Sequence, residues 1–144
     1  MTSRMIMAVD TIQMGPGQQL TIVASTPQAL EVESRWDAGG SAPRKHFHPH
    51  QEEHFEILSG RLTVQLGSAP PRTYAAGETV DVPRGVVHCM WNPDDEPASA
   101  SWRITPALKT EQMFRYIDAG MSLPRSLALL VRFRNEFRLP GRKT

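Results

Sequence analysis

The stretch from Gly40 to Gly60, GSAPRKHFHPHQEEHFEILSG, decides the fold and contains the first part of a candidate site. His46 and His48 are two residues apart, and side chains at that spacing project from the same face of a β-strand. Both imidazoles can then reach one metal ion, and a carboxylate after a short turn can join them from the neighbouring strand. Glu52 and Glu53 both satisfy that description. Taken alone, the histidine cluster is equally compatible with a solvated polar loop.

A second stretch, from Gly77 to Asn92, reads GETVDVPRGVVHCMWN and supplies another imidazole. Pro83 and Gly85 form a Pro-x-Gly turn signal immediately before a short strand that begins with His88. The turn fixes the point at which His88 enters the strand, so we expect this histidine to join the first two.

Together the two stretches resemble the motifs of the cupin superfamily, G(X)5HXH(X)3–4E(X)6G and G(X)5PXG(X)2H(X)3N. All fixed positions of both motifs are present, and counting back from Gly60 selects Glu53 rather than Glu52 as the acidic member. The resemblance implies a double-stranded β-helix barrel, usually dimeric, with one divalent metal ion near its mouth. The ligands that it implies are His46, His48, Glu53 and His88.

Strand parity separates the other side chains near these motifs. His54 and Cys89 have outward parity, and Pro49 is expected to break the strand before His50, which otherwise continues the register of His48. The two histidines are therefore expected at the surface or behind the ligands, and Cys89 is expected to pack as a small hydrophobic residue. Inward parity predicts that Phe55, Ile57 and Met90 line the pocket, with Leu62 and Val64 as further candidates, and the alternative for each of them is ordinary core packing.

The pattern around the motifs predicts an all-β barrel over about residues 19–106, because short β-branched and aromatic runs alternate with Gly, Pro, Asp and Asn. The predicted strands are Leu20–Ser25, Leu30–Trp36, Lys45–His48, His54–Leu58, Arg61–Leu66, Thr79–Val82, His88–Trp91 and Ala100–Thr105.

After Pro106 the apolar period changes to that of helices, and this predicts a helical extension over about residues 107–140, packed outside the barrel. One helix should cover Leu108–Ala119. A second should begin after Ser122 as N-cap and run to about Arg138. Its apolar residues are expected to pack on the barrel wall: Leu123, Leu127, Leu130, Phe133 and Phe137.

Composition limits the functional classes. The chain has 144 residues, about the length of one domain, so residues 1–144 are predicted to form a single cupin domain. Its 16 basic and 15 acidic residues give no overall field that would attract nucleic acid or an anionic membrane. We expect no export signal, no membrane span and, with Cys89 as the single cysteine, a cytoplasmic protein. The resemblance adds an expected homodimer.

The predicted ligand set favours a working metal over a sealed structural one. Three neutral imidazoles and one carboxylate would leave two positions of an octahedral ion open for water, oxygen or a substrate. Fe(II), Mn(II), Ni(II) or Cu(II) would suit oxygen chemistry, and Zn(II) would suit a Lewis-acid role. The resulting hypothesis is a metal-dependent enzyme acting on a small molecule, dioxygenase-like or an isomerase. The alternative is a non-catalytic small-molecule binding protein. A DNA-binding regulator is disfavoured because the second helix carries LALLV where base-reading side chains are needed.

Overall fold

The computed structural model describes residues 10–141, which form nine strands followed by two helices. The strands are β1 Thr11–Gln13, β2 Gln18–Ser25, β3 Leu30–Trp36, β4 Glu52–Ser59, β5 Arg61–Leu66, β6 Arg72–Ala75, β7 Thr79–Val82, β8 His88–Trp91 and β9 Ala98–Thr105. The helices are α1 Thr110–Asp118 and α2 Leu123–Arg132. Within the described residues, neither helix is long and apolar enough to cross a membrane.

Two antiparallel sheets make up the barrel. One has the strand order β1-β2-β3-β9-β4-β7 and the other β6-β5-β8. Burial alternates along β4 and β9, so that one face of each strand points to the interior and the other to solvent. The predicted all-β class and double-stranded β-helix are therefore confirmed.

Three strand predictions differ from the structure. The short strands β1 and β6 were not predicted: β1 has three residues, of which one is buried, and none of the four residues of β6 is fully buried. The predicted strand Lys45–His48 is reduced to single bridges, from His46 to His88 and from Phe47 to Arg138. Its register is set by these long-range partners rather than by a continuous neighbouring strand.

The lengths of both helices differ from the prediction, while the predicted N-cap of the second helix is confirmed. α1 is shorter than predicted, and α2 begins after the predicted cap, where the Ser122 Oγ accepts a hydrogen bond from the Arg125 N–H at 3.3 Å. α2 ends at Arg132 rather than at Arg138, because the chain turns and the backbone of Arg138 pairs with that of Phe47.

The expected apolar face of α2 was wrong at its first two members. Leu123 and Leu127 are 74% and 58% exposed, whereas Leu129 and Phe133 are buried. The predicted members Leu130, Phe133 and Phe137 do pack against the core, so the buried face is the predicted one without its first turn and with Leu129 added. Leu129 and Phe133, with Met113 and Phe114 of α1, belong to the same apolar cluster as the interior residues of the strands. The helices thus pack on the barrel interior where it opens.

Candidate metal centre

Backbone pairing brings the two histidine motifs together. The His46 N–H donates to the His88 carbonyl at 3.0 Å, and the His88 N–H donates to the His46 carbonyl at 2.8 Å. One ring nitrogen from each of His46, His48 and His88 lies within 4.8 Å of the others. The structure therefore brings together all three histidines that the sequence predicted as ligands.

Glu53 completes this cluster. It lies on β4 with only 3% of its surface exposed, while the adjacent Glu52 is exposed. The Glu53 Oε1 is 3.2 Å from the His48 Nε2 and 3.0 Å from the His88 Nε2. This placement agrees with the choice of Glu53 over Glu52.

Hydrogen bonds behind the cluster fix which ring nitrogens are available. The His48 Nδ1 lies 2.7 Å from the Glu136 carbonyl, and the His88 Nδ1 lies 2.9 Å from the Val86 carbonyl. A carbonyl only accepts, so each Nδ1 carries the proton and each Nε2 faces Glu53. On the other side, the Trp102 Nε1–H donates to the Glu53 Oε2 at 2.9 Å, which leaves Oε1 turned towards the histidines.

The polar atoms at the centre are suited to a cation. The His48 Nε2 and the Glu53 Oε1 are buried and lack a hydrogen-bond partner among residues 10–141. Buried acceptors facing one another at about 3 Å are unfavourable unless a positive charge lies between them. A proton or a metal ion satisfies that requirement, and imidazole nitrogens with one carboxylate are ordinary ligands of divalent transition metals.

The acid–base properties of the cluster follow from the same contacts. Burial alone would lower the pKa of His48, but the Glu53 carboxylate outweighs it and raises the pKa above the usual histidine value. Burial alone would raise the pKa of Glu53, but His48 and His88 hold it below the usual carboxyl value. Burial, followed by the charges of His88 and His48, lowers the pKa of His46 to about 3. His46 is therefore neutral and ready to coordinate at physiological pH.

The cluster forms one wall of a cavity of about 470 Å³. Phe55 and Met90 line it, as predicted. Ile57 is a correction: it packs in a second cluster with Trp36, Leu62, Ala98 and Ala100. It shares the inward parity of Glu53 and Phe55, but it lies one step further along β4, roughly 7 Å from Phe55, where the barrel interior is filled.

The remaining motif residues support the loops around the site. Gly60 has φ +69° and a Cβ there would lie 2.4 Å from the Pro97 carbonyl oxygen, so only glycine fits this turn. The buried Asn92 side chain donates to the carbonyls of Asp37 and Glu96. These contacts fix the ends of β4 and β8, and with them the candidate ligands Glu53 and His88 that those strands carry.

A sequence profile described as "Cupin domain" matches residues 32–103, which is half of the chain and includes all four clustered residues. The chain belongs to the cupin family. Its fold is similar to that of KdgF from Halomonas sp., with TM-score 0.61 and 23% identity over 71% of this chain and 92% of that one. An RmlC-like cupin from Shewanella frigidimarina gives TM-score 0.63 and 16% identity, covering 72% of this chain and 88% of its own.

One curated relative is an oxidoreductase from Arthrobotrys oligospora, 34% identical over 84 residues. The match covers 58% of this cupin and only 28% of that relative, so the chain spans less than a third of its length.

The sequence did not predict the role of several residues that contact the histidine and glutamate cluster of this cupin. They are Trp102, which orients Glu53; Phe137, which stacks on His46 at a centroid distance of 4.8 Å; and Glu136, whose carbonyl holds His48. The inward parity of Trp102 in ASASWRIT was a usable signal. For Glu136 and Phe137 the local pattern indicated only helix. The excluded histidines lie where expected, since His50 is exposed and the exposed His54 pairs with Asp81 at 2.7 Å.

Proposed function

We propose that this cupin binds one divalent metal ion through His46, His48, Glu53 and His88 and is a metal-dependent enzyme, of the oxygenase type, acting on a small organic molecule. The observation that carries the proposal is the buried Glu53 Oε1, which faces two imidazole Nε2 atoms beside a cavity of ligand size. A cluster needed only for folding would not require its unpartnered polar atoms to lie against such a cavity.

The donor set limits the metal. Three nitrogens and one oxygen suit Fe(II), Mn(II), Ni(II), Cu(II) and Zn(II) better than the hard ions Mg(II) and Ca(II), which prefer oxygen ligands. When bound, the ion would supply an open coordination site that polarises an oxygen donor or takes part in oxygen chemistry.

The protein residues have separate tasks in this proposal. Trp102 holds the Glu53 Oε2, so that the carboxylate presents one oxygen. The carbonyls of Glu136 and Val86 hold the rings of His48 and His88. The apolar side chains across the cavity exclude water from the reacting groups, which strengthens electrostatic interactions there.

The oxidoreductase relative from Arthrobotrys oligospora supports an oxidative reaction over an isomerisation. This cupin corresponds to only 28% of that protein, so the transfer of activity is part of the proposal.

The test begins with metal content. Protein prepared without an affinity tag is analysed for bound metal, alongside the variants His48→Ala and His88→Ala and the matched control His50→Ala. We expect close to one metal ion per chain in the parent and control, and loss of most of it in the two ligand variants. Metal retained equally in all four proteins would refute the site.

The second step is oxygen uptake. Metal-free protein is loaded anaerobically with Fe(II), Mn(II), Ni(II) or Cu(II) and screened with small carboxylates, enols and diols. Uptake with a new product, absent in His88→Ala, supports the enzyme. A ligand that stabilises the loaded protein strongly but is recovered unchanged from every metal form would favour the non-catalytic binding protein instead.

A further inference from the structure

The cavity has two chemically different ends. One end carries the His46, His48, Glu53 and His88 cluster. Much of the remaining lining comes from the helical extension, outside the residues 32–103 that match the family, and is apolar. Its members are Met113, Phe114 and Ile117 of α1, Leu129 and Leu130 of α2, and Phe137 and Leu139 after α2. A ligand in this cavity therefore meets the polar cluster on one side and hydrocarbon over much of the remaining lining.

Few polar groups lie between these ends. Apart from the cluster, the polar side chains that line the cavity are Gln18, Arg44 and Ser126, with the indole groups of Trp36 and Trp102. The Trp102 N–H is already bonded to Glu53, and Arg44 is exposed at the rim. A polyhydroxylated ligand such as a sugar would leave many hydroxyl groups without partners here, at a cost for each.

The charged end favours an anionic oxygen donor. A divalent ion with three neutral imidazoles and one carboxylate keeps a net charge near +1, and the buried surroundings leave that charge poorly screened. A carboxylate or enolate head group complements it, while a neutral hydrocarbon does not.

Resting on the proposed function, we infer that the substrate is a small molecule with a single oxygen-donor head, such as a carboxylate or enolate, and an apolar body. The head lies at the histidine cluster, and the body packs on the wall formed by α1 and α2. The helical extension thereby selects the substrate, and the family motif supplies the chemistry.

Isothermal titration of the Zn(II)-loaded protein tests this with probes that share one head group: acetate, benzoate, 2-naphthoate and 4-sulfobenzoate. Zinc keeps the measurement free of turnover by redox chemistry. We expect 2-naphthoate to bind more than about tenfold more tightly than acetate, because its ring system buries apolar area. We expect 4-sulfobenzoate to bind about tenfold or more weakly than benzoate, because its second charge would face hydrocarbon.

A matched pair of variants locates the wall. Leu130 lines the cavity and is half-buried, whereas Leu127 is on the same helix and is exposed. Leu130→Gln should weaken 2-naphthoate binding about fivefold or more and leave acetate binding unchanged, and Leu127→Gln should alter neither. Circular dichroism of both variants confirms that the helix is retained.

The outcomes separate this inference from the proposed function. Equal affinities for acetate and 2-naphthoate, or equal effects of the two leucine variants, would overturn the apolar substrate class while leaving the metal site intact. Tight 2-naphthoate binding that is the same with and without Zn(II) would instead overturn the placement of the head group at a metal and count against the proposed function.

Discussion

Trp102→Phe gives a sharp test of how the carboxylate is held. The change removes the indole N–H that donates to the Glu53 Oε2 at 2.9 Å and keeps an aromatic ring against Phe55. A hydrogen bond to a charged group is worth about 1.5–3 kcal/mol. In the metal-free variant, the freed carboxylate can turn further towards the two histidines that it already faces, whereas a bound metal would hold it in place. Most of the cost therefore falls on the metal-bound state.

At about 1.4 kcal/mol per factor of ten, this loss raises the dissociation constant for Zn(II) about 10- to 100-fold, the usual range for groups that orient a ligand. The assay is competition of metal-free protein with a chromophoric chelator at pH 7.5. Trp36→Phe is the matched control, since Trp36 lines the same cavity, but Trp102 is the indole that bonds Glu53 within residues 10–141. If both variants bind Zn(II) within threefold of the parent, the hydrogen bond does not orient the carboxylate.

Three further predictions concern charge, pH and the turn at Gly60. In calorimetry, Glu53→Gln should abolish most Mn(II) binding, whereas Glu52→Gln, on the exposed face of β4, should change the Mn(II) affinity less than twofold. A larger loss in Glu52→Gln would mean that Glu52, and not Glu53, faces the interior. Because the pKa of His48 is raised, acid should protonate this candidate ligand and compete with Zn(II) already above pH 6.5. The Zn(II) affinity, measured by chelator competition, should therefore fall on acidification by up to about tenfold per pH unit for each proton displaced. An affinity that stays constant from pH 8 to 5.5 would contradict this prediction. In chemical denaturation, Gly60→Ala should lower the free energy of unfolding by about 2 kcal/mol or more, because its Cβ would meet the Pro97 carbonyl. Gly67→Ala, which has open space at φ +57°, should lower it by about 1 kcal/mol. Similar losses in the two variants would show that the contact with Pro97 is not the cause.

His48 and Glu53 also determine how the stability of the metal-free protein depends on pH. Because the pKa of His48 is raised in the folded protein, His48 contributes its full stabilisation at pH values below the pKa of an unfolded histidine. This stabilisation is lost as the pH rises through the folded pKa. Because the pKa of Glu53 is lowered in the folded protein, Glu53 stabilises the folded state at pH values above the pKa of an unfolded carboxyl group, and this stabilisation is lost on strong acidification. Metal-free protein therefore gains most from this pair between about pH 4.5 and 6.5. Bound metal should shift the optimum upwards, because it takes the place of the proton.

The four clustered residues were predictable because each occupies a fixed position of the two motifs that resemble those of the cupin family. His46 and His48 share a strand-like segment, Glu53 follows a short turn, and Pro83 and Gly85 fix the entry of His88. Parity then selected Phe55 and Met90 correctly. Parity failed at Ile57 because it gives the face of a strand and not the depth at which a cavity ends.

What could not be predicted depends on contacts between distant residues. The Glu136 carbonyl meets His48 across 88 positions, and Trp102 meets Glu53 across 49. Periodicity extended α2 through Phe137, but the Phe47 to Arg138 pairing ends that helix early. A pattern read along one segment contains no information on which other segment will accept its hydrogen bonds.

The two parts of the site meet at Phe137, which stacks on His46, and at Phe114, which packs on Trp102 at a centroid distance of 5.3 Å. The four candidate ligands lie between residues 46 and 88, and most of the apolar wall lies between 113 and 139. Changes in the wall at Ile117 or Leu130 should then alter ligand choice and leave metal affinity unchanged. Phe137 is different, because it lines the cavity and also stacks on His46. A change at this position should affect metal and ligand together, because the extension would then both select the ligand and support the proposed metal ligands.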